Sequence, residues 1–582
     1  MRFIETWNAK IAAGPVGRWF QLEGSGHPRE RKGSLFFTEL RAGLVAFFAM
    51  AYIISVNASI VSASGGTCVC RNEADPVCET DDDYLLCVAE INRDMVTATA
   101  AISALATFFM GLLANMPVGV APGMGLNAYF TYSVVGFHGS GAVPYEVALT
   151  AIFIEGFVFF GLALLGLRQW LARAIPRCIK LATGVGIGLF LTLIGLTYGE
   201  GIGLIVGATE TPLELAGCAE EHFKNGLCPS EHKMRNPRMW IGIFCGGILT
   251  VMLMMYRFKG AILAGILLVS IISWPRDTAV TYFPNTNVGN SKFEFFKKVV
   301  DFHPIQRTLN VQDWNVGGYS GAFGLAFITF LYVDILDCTG TLYSMARFAN
   351  LIDEETQDFE GSSVAYMVDA LSISVGAVFG TPPVTAFVES GAGISEGGKT
   401  GLTAMSTGLC FFISIFFAPI FASIPPWATG CVLILVGSMM VRAVVEINWR
   451  YIGDAIPAFI TLALMPFTYS IADGLIGGVC SYILINTLIW VLEKVSGGRI
   501  VPHNKHEKDP WTWRIPGGIL PPWVRRLLKG KKDFWRAVEN TSASNAEPRP
   551  LEKTASSEQG GSMNGKDRDV GETITPHGGK SS

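Results

Sequence analysis

Three acidic residues lie inside long apolar segments, where an ionised side chain is hard to accommodate. Asp334 and Asp337 share one segment, and Glu389 lies near the start of another. A charge at the centre of a membrane-spanning helix costs about 2.5–3.5 kcal/mol on insertion scales, and no Lys or Arg lies mid-segment to neutralise these carboxyls. We therefore expect at least one of the three to bind and release a proton. The alternative is that these acids only cap a helix or pair locally.

Two further acids, Glu155 and Asp369, also lie in the middle of apolar segments. For this pair the sequence slightly favours a structural role.

Two proline-rich sequences open apolar segments in a similar way. They are residues 117–127 (PVGVAPGMGLN) and 382–393 (PPVTAFVESGAG). Because proline lacks an N–H and disfavours helix in the residue before it, each segment should begin extended and become helical only partway across. Such backbone is tolerated at membrane depth only where it lines a cavity, so a binding site at two half-helix N-termini is predicted. A pair of packing kinks is the alternative.

A short internal repeat relates the two halves of the chain. Tyr52-Ile-Ile-Ser-Val-Asn57 and Tyr332-Val-Asp-Ile-Leu-Asp337 have the same spacing, and seven apolar segments separate them, as seven separate the two proline-rich openings. An odd number of spans in each half inverts the second half relative to the first. The pattern therefore predicts an inverted repeat, as in many transporters.

About fourteen apolar stretches run from Leu35 to Leu492, and most are long enough to cross a bilayer core. We place them at residues 36–62, 95–114, 120–137, 146–166, 180–206, 238–255, 260–275, 321–345, 363–381, 384–398, 401–423, 428–441, 455–469 and 474–492. These stretches predict an all-α polytopic membrane protein of two inverted seven-span repeats. Half of the residues are hydrophobic, only 16% are charged and the mean hydropathy is +0.39, which argues against a set of soluble domains.

The predicted organisation has five parts: an N-terminus (1–34), a first repeat (35–275), a connecting loop (276–320), a second repeat (321–492) and a tail (493–582) that is largely disordered after 540. Basic residues near both ends of the chain predict that both termini are cytoplasmic. The connecting loop is then external although it is also basic, which makes it the weakest part of the topology.

Six of the twelve cysteines lie in two polar loops predicted to be external: Cys68, Cys70, Cys78, Cys87, Cys218 and Cys228. Even numbers of cysteines in such loops predict disulfides, with the pairing left open. A zinc site is the alternative, but the spacing lacks paired C-x2-C sequences and a nearby histidine.

Several other functions are disfavoured by the sequence. The net charge of −4, with Lys and Arg concentrated at the two ends, argues against nucleic acid as a partner. All eight histidines fall in loops, tails or at a span edge, and no nucleophile motif or Cys/His cluster suggests an enzyme, a cofactor or a metal centre. A channel would need a continuous polar pore. An anion exchanger of this fold would need positive charge at the half-helix N-termini, whereas the site predicted here is acidic.

Three runs of residues closely resemble the AzgA-like hypoxanthine-adenine-guanine permeases, a family of nucleobase:cation symporters related to the nucleobase-ascorbate transporters. They are Gly123-Met-Gly-Leu-Asn-Ala-Tyr129, the run from Asp334 to Leu342 (DILDCTGTL) and the run from Thr381 to Ile394 (TPPVTAFVESGAGI). The likeness spans roughly residues 15–535, and the Cys-rich loop and long tail look like those of fungal members. The resemblance implies fourteen spans divided into a core and a gate domain, with short strands in spans 3 and 10.

The same resemblance implies the function and its residues. Asn127, Asp334 and Glu389 would bind a purine, while Asp337, with Glu389, would link transport to a proton. The expected activity is proton-coupled purine uptake at the plasma membrane by relative movement of core and gate. A homodimer formed through the gate domain is implied by the resemblance alone. The alternatives are an anion exchanger of the same fold and a nucleobase transporter of xanthine or uracil specificity.

The chemistry of the purines suggests a selectivity. Hypoxanthine, adenine and guanine share an imidazole N–H and an acceptor at N3, whereas xanthine and urate carry an N–H at position 3. A site that donates toward position 3 would meet a second donor in xanthine, which costs about 1–3 kcal/mol per unpaired buried group. We hypothesise that xanthine and urate are poor substrates.

Overall fold

The computed structural model of the chain describes residues 2–69, 81–167, 176–197, 201–207, 213–219, 228–352 and 359–509, together with Cys78, His222 and Leu528. The tail after residue 540, which we predict to be disordered, lies outside the described residues. The division of the chain at residues 34, 275, 320 and 492 stays a prediction.

Twelve of the predicted spans are helices in the part of the chain that the structure describes. They are span 1 (Phe36–Met50 and Ile53–Ser62), span 2 (Asp82–Ala114), span 4 (Tyr145–Leu165), span 5 (Arg177–Leu196), span 6 (Pro237–Met255), span 7 (Ala261–Ser273), span 8 (Ser320–Phe348), span 9 (Ser362–Val378), span 11 (Gly401–Ser414), span 12 (Pro426–Met440), span 13 (Ile452–Thr468) and span 14 (Ile471–Val495). Shorter helices cover Arg2–Ala12, Pro15–Phe20, Phe137–Gly139, Asn287–Phe296, Ala418–Phe421, Val441–Glu446 and Lys505–Glu507.

The other two spans begin as strands and continue as helices. The described strands are β1 (Val120–Pro122), β2 (Ile205–Val206), β3 (Glu214–Leu215) and β4 (Val384–Ala386). Span 3 consists of β1 followed by helices Met124–Ala128 and Tyr129–Val134, and span 10 of β4 followed by Val388–Ser390 and Gly391–Ser395. These two spans complete the fourteen, and the prediction that each begins extended is confirmed.

The two halves of the chain are inverted repeats. Strand β1 of the first half pairs antiparallel with β4 of the second half, with Ala121 opposite Thr385. Span 2 packs against span 11, and span 4 packs against span 9. Span 9 is the counterpart of span 2 in the second repeat and span 11 is the counterpart of span 4, so the two contacts are equivalent. Reciprocal contacts of this kind are expected from a two-fold axis in the membrane plane.

Contacts between the helices divide the spans into two sets. Spans 1–4 and 8–11 pack mainly among themselves and form a core domain, while spans 5–7 and 12–14 form a gate domain. Glycines allow the closest approaches in both sets. An added Cβ on Gly111 of span 2 would overlap the carbonyl oxygen of Gly401 in span 11, and one on Gly437 of span 12 would overlap that of Gly188 in span 5.

Three predicted span boundaries are wrong. Span 2 begins at Asp82 rather than at residue 95, because the connecting loop pairs with the polar residues of its first turns. Arg93 donates to the carbonyl of Ser291 at 3.0 Å, and Asp94 accepts from the backbone N–H of Gln306 at 3.0 Å. Spans 5 and 11 end earlier than predicted, at Leu196 and Ser414, where short separate elements follow.

The connecting loop lies on the same face of the molecule as the first Cys-rich loop. Thr67 donates to the carbonyl of Arg307, and the guanidinium of Arg307 pairs with Glu90. Two further basic residues of this loop are paired within it, Lys297 with Glu294 and Lys298 with Asp301. This neutralisation explains how a loop so rich in Lys and Arg can share a face with the cysteine loops.

Disulfides form in both cysteine loops, as predicted. Cys68 is bonded to Cys87 and Cys218 to Cys228, and Cys78 is also disulfide-bonded. Cys70 lies outside the described residues. The N-terminal segment is on the opposite face, where Arg31 donates to the carbonyl of Asn115 at the end of span 2.

Replacing Gly111 with alanine should destabilise the core domain. The new methyl group would overlap the backbone of span 11, and such overpacking typically costs about 1–3 kcal/mol. Gly161→Ala is the matched control, because an added Cβ at this glycine of span 4 meets no atom within 4 Å. Thermal unfolding of the detergent-purified variants would measure the difference, and equal melting temperatures would contradict this account of the packing.

Candidate functional site

The two half-helix openings cross at the centre of the core domain. The backbone N–H of Gly123 donates to the carbonyl of Pro383 at 2.9 Å, and that of Phe387 donates to the carbonyl of Gly119 at 2.9 Å. The crossing has no room for a side chain at Gly123, where a Cβ would overlap the methyl group of Thr385. The crossing therefore fixes the starts of both half-helices relative to each other.

Asn127 lies in the first half-helix and is fully buried. Its amide nitrogen donates to Oδ1 of Asn57 at 2.6 Å, and the amide nitrogen of Asn57 donates in turn to Thr99 at 2.7 Å. Oδ1 of Asn127 is buried without a hydrogen-bond partner among the described residues. Because nearly all buried polar atoms in folded proteins are hydrogen-bonded, this unpaired acceptor is a candidate for contact with a ligand.

Glu389 begins the second half-helix and is half-buried. Its Oε1 accepts a hydrogen bond of 2.7 Å from the hydroxyl of Tyr52. Span 1 therefore contacts both half-helices, since Asn57 binds Asn127 and Tyr52 binds Glu389.

Asp334 is fully buried in span 8, and both of its carboxyl oxygens lack a hydrogen-bond partner in the part of the chain that the structure describes. It lies close enough to Asp337, one turn further along the helix, to interact electrostatically with it. Asp337 in turn interacts with Glu389. The three carboxyls thus form a connected series of acidic groups.

Asp337 faces a cavity between the two domains. The cavity has a volume of about 350 Å³ and lies between span 8 of the core and spans 5 and 12 of the gate, with Lys180, Ser344 and Met440 among its lining residues. Asp337 is exposed to it, whereas Asp334 behind is not. A volume in this range suits a small organic molecule.

The structure connects the predicted site residues through intermediates rather than by direct hydrogen bonds. Among the described residues, no hydrogen bond joins any two of Asn127, Asp334 and Glu389. Tyr52 and Asn57 connect the two half-helices, and Asp337 lies electrostatically between the two other carboxyls. Sequence reasoning did not assign Tyr52 and Asn57 to the site. The signal that could have found them was the motif they share with Tyr332 and Asp337.

The repeat gives the two halves of the site different chemistry. Asn57 of span 1 contacts Asn127 of span 3 in the first repeat, and Asp337 of span 8 interacts with Glu389 of span 10 in the second. These pairs occupy corresponding spans. The first repeat therefore contributes a neutral amide pair and the second an ionisable acid pair.

Comparison with known proteins places this arrangement in a family. A model of the xanthine/uracil permeases, described as the permease family, matches residues 79–216 and 238–476. The chain belongs to this permease family. It is accordingly a polytopic membrane transporter, since family members are named as permeases rather than as enzymes.

Individual relatives carry different names. The chain is 68% identical to the efflux pump notK' of Aspergillus versicolor, covering 93% of this chain and 94% of that protein. It is 59% identical to a Schizosaccharomyces pombe protein that is named as a xanthine/uracil permease, over 93% of this chain and 86% of the relative. It is 32% identical to the guanine/hypoxanthine permease PbuO of Bacillus subtilis, over 79% and 93% of the two chains.

Replacing Asp334 with asparagine should raise the thermal stability of the substrate-free protein. The change replaces an ionisable carboxyl that has no hydrogen-bond partner among the described residues with a neutral amide of the same size, and a buried charge costs more than a buried neutral polar group. Asp94→Asn is the control and should lower stability, because Asp94 is equally enclosed but accepts hydrogen bonds from the loop. A lower melting temperature for Asp334→Asn in a thermal-shift assay would show that Asp334 is structurally satisfied.

Proposed function

We propose that this protein is a proton-coupled purine nucleobase permease that takes up hypoxanthine, adenine and guanine across the plasma membrane. One observation carries the proposal. Oδ1 of Asn127 and both oxygens of Asp334 are fully enclosed, close to the crossed half-helices, and have no partner among the described residues. Membership of the permease family and the similarity to a relative named as a guanine/hypoxanthine permease support a nucleobase as the missing partner.

The three binding residues offer complementary groups to a purine. A carboxylate at Asp334 or Glu389 would accept from the imidazole N–H. Asn127 uses one amide N–H on Asn57, so its oxygen would accept from a second purine N–H. The donor to N3 would be a protonated carboxyl or the remaining N–H of Asn127. Xanthine and urate, which carry an N–H at position 3, would oppose that donor.

Proton coupling is assigned to Asp337 and Glu389. The cavity at Asp337 is lined by residues from the start of span 5, the second half of span 8 and the end of span 12. Arg29 of the N-terminal segment pairs with Glu360, which follows span 8. If both termini are cytoplasmic, Asp337 would exchange its proton with the cytoplasm in this conformation. One proton crossing ~100 mV supplies about 2.3 kcal/mol, roughly a fiftyfold concentration ratio, which is enough to accumulate a neutral purine.

Transport would occur by alternating access, with the core domain moving against the gate domain as in an elevator. The strand crossing lies wholly within the core, so both half-helices would move together. No bound cofactor is invoked, since the proton is the coupling ion. Homodimerisation through the gate domain stays part of the proposal.

Uptake of radiolabelled hypoxanthine into cells that lack their own purine carriers tests the function. Saturable uptake that a protonophore abolishes is expected, with adenine and guanine competing and xanthine competing poorly. Cells preloaded with hypoxanthine address the direction of transport, because the relative from Aspergillus versicolor is named an efflux pump. Export against a gradient, or xanthine uptake as fast as that of hypoxanthine, would refute the corresponding part of the proposal.

Two substitutions test the roles assigned to Glu389 and Asp337. Glu389→Gln should weaken hypoxanthine binding strongly, because a neutral amide replaces the carboxylate acceptor. Asp337→Ala should abolish accumulation while the protein still reaches the cell surface. Surface labelling and uptake are measured together, and normal concentrative uptake by either variant would contradict the role assigned to that residue.

Tyr52→Phe tests the contact between span 1 and the second half-helix. Loss of the hydroxyl that orients Glu389 should raise the KM for hypoxanthine about tenfold, which corresponds to one charge-assisted hydrogen bond of about 1.5 kcal/mol. Tyr145→Phe is a matched control, since this tyrosine is equally buried but donates to the carbonyl of Gly380 at the end of span 9. A KM for Tyr52→Phe that equals that of the control would exclude Tyr52 from the site.

A further inference from the structure

Two short helices at the N-terminus form a hairpin at one end of the core domain. The helices Arg2–Ala12 and Pro15–Phe20 pack against each other, and we call residues 2–20 the N-terminal hairpin. The packing is close, because an added Cβ on Gly17 would overlap the backbone of Ala12. A glycine is therefore required where the two helices meet.

The N-terminal hairpin is attached to three spans of the core. The indole N–H of Trp19 donates to the carbonyl of Leu112 in span 2 at 2.9 Å, and Asn8 accepts from the backbone N–H of Phe37 in span 1 at 3.2 Å. Apolar side chains fill the space between the hairpin and the spans. They are Ile11, Ala12, Phe20, Leu22, Phe36, Leu112, Leu402 and Met405. Span 11 contributes the last two, so the hairpin is fixed to the domain that carries both half-helices.

The side of spans 2 and 11 that the hairpin covers is the side that faces lipid further along each helix. Leu105 of span 2 and Leu409 of span 11 are exposed, as large apolar side chains are where a span meets acyl chains. Leu112 lies about two turns beyond Leu105, and Leu402 about two turns before Leu409, so each pair shares one face of its helix. Leu112 and Leu402 both lie in a terminal turn of their spans. The hairpin therefore lies on the lipid-facing side at the depth of the membrane interface.

The outer surface of the N-terminal hairpin is also apolar. Ile4 and Val16 are exposed, and so are the indole rings of Trp7 and Trp19. Ile4 and Trp7 are three residues apart, as are Val16 and Trp19, so each pair shares one face of its helix. Tryptophan is enriched at membrane–water interfaces, because its ring is apolar while its N–H needs a polar partner. The Trp19 ring meets both conditions, since its N–H is bonded and its ring is exposed.

Basic side chains flank this apolar surface. Lys10 lies over the ring of Trp7 at 5.4 Å, and Arg18 is exposed next to Trp19. The sequence of the hairpin has three basic residues and one acidic residue, Glu5. Basic residues beside exposed aromatic rings are typical of a helix that lies on an anionic leaflet. Together with the lipid-facing surface that continues along spans 2 and 11, this composition favours lipid over a second protein chain as the partner.

We propose that the N-terminal hairpin is an interfacial anchor that binds the phospholipid surface on the face of the membrane opposite the cysteine loops. Ile4, Val16 and Trp19 enter the boundary between the headgroups and the acyl chains. Lys10 and Arg18 reach the lipid phosphates. Because the hairpin is fixed to spans 1, 2 and 11, the anchor ties the core domain, rather than the gate domain, to this leaflet.

Photo-crosslinking of the full-length protein in phospholipid vesicles tests the anchor. A benzophenone amino acid replaces Ile4, Val16 or Ala9, one position at a time, and on illumination it reacts with C–H bonds that it touches but not with water. Ala9 is the matched control, because it is exposed on the same helix as Ile4 but lies away from the face that Ile4 and Trp7 share. Mass spectrometry of the protein should show phospholipid adducts at Ile4 and Val16 and a severalfold lower yield at Ala9.

Two results would overturn the proposal. Cross-links from Val16 to a second copy of the chain would show a protein interface, and equal adduct yields at all three positions, or no adducts, would show that lipid does not contact this face. Gel filtration of each variant confirms that folded protein is compared. Ile4 and Val16 lie on different helices, so either one gives the test if the other variant does not fold. The measurement needs no purine, and its outcome is therefore separate from that of the proposed function.

Discussion

Acidic side chains enclosed by apolar helices are the constraint on which the rest of the structure depends. Burial removes the water that would stabilise a carboxylate, and Asp334 has no hydrogen bond from the described protein to replace that water. A fold selected for stability alone would place an apolar residue or a matched cation at this position. The nearby polar groups of span 1 serve other side chains, since Tyr52 donates to Glu389 and Asn57 accepts from Asn127. Asp337, one turn from Asp334, lies beside the cavity between the domains.

Much of the architecture could be predicted from the sequence, because its signals are local. Long apolar stretches, paired prolines and the matched Tyr52 and Tyr332 motifs gave fourteen spans, extended openings at spans 3 and 10, and an inverted repeat. The early start of span 2 was missed because Asp94 reads as a loop residue until its partners in the connecting loop are seen. A hydropathy pattern carries no information about which distant segment will satisfy a polar group.

The site was harder to predict than the fold for the same reason. Residue type and burial depth pointed to Asp334, Asp337 and Glu389, and the resemblance pointed to Asn127. Neither indicated that Tyr52 and Asn57 would bridge the two half-helices, because the bridge exists only after spans 1, 3 and 10 converge. Glu155 is a similar case, since spacing alone cannot show whether a buried acid has hydrogen-bond donors around it.

The antiparallel pairing of β1 with β4 joins the first half of the chain to the second across the pseudo-symmetry axis. A solute held beside that pairing would meet the same backbone dipoles whichever side of the membrane it had entered from. Its intrinsic affinity should then differ little between the two orientations of the carrier. An excess of unlabelled solute on one side would then draw labelled solute across from the other by counterflow, even when no ion gradient is present.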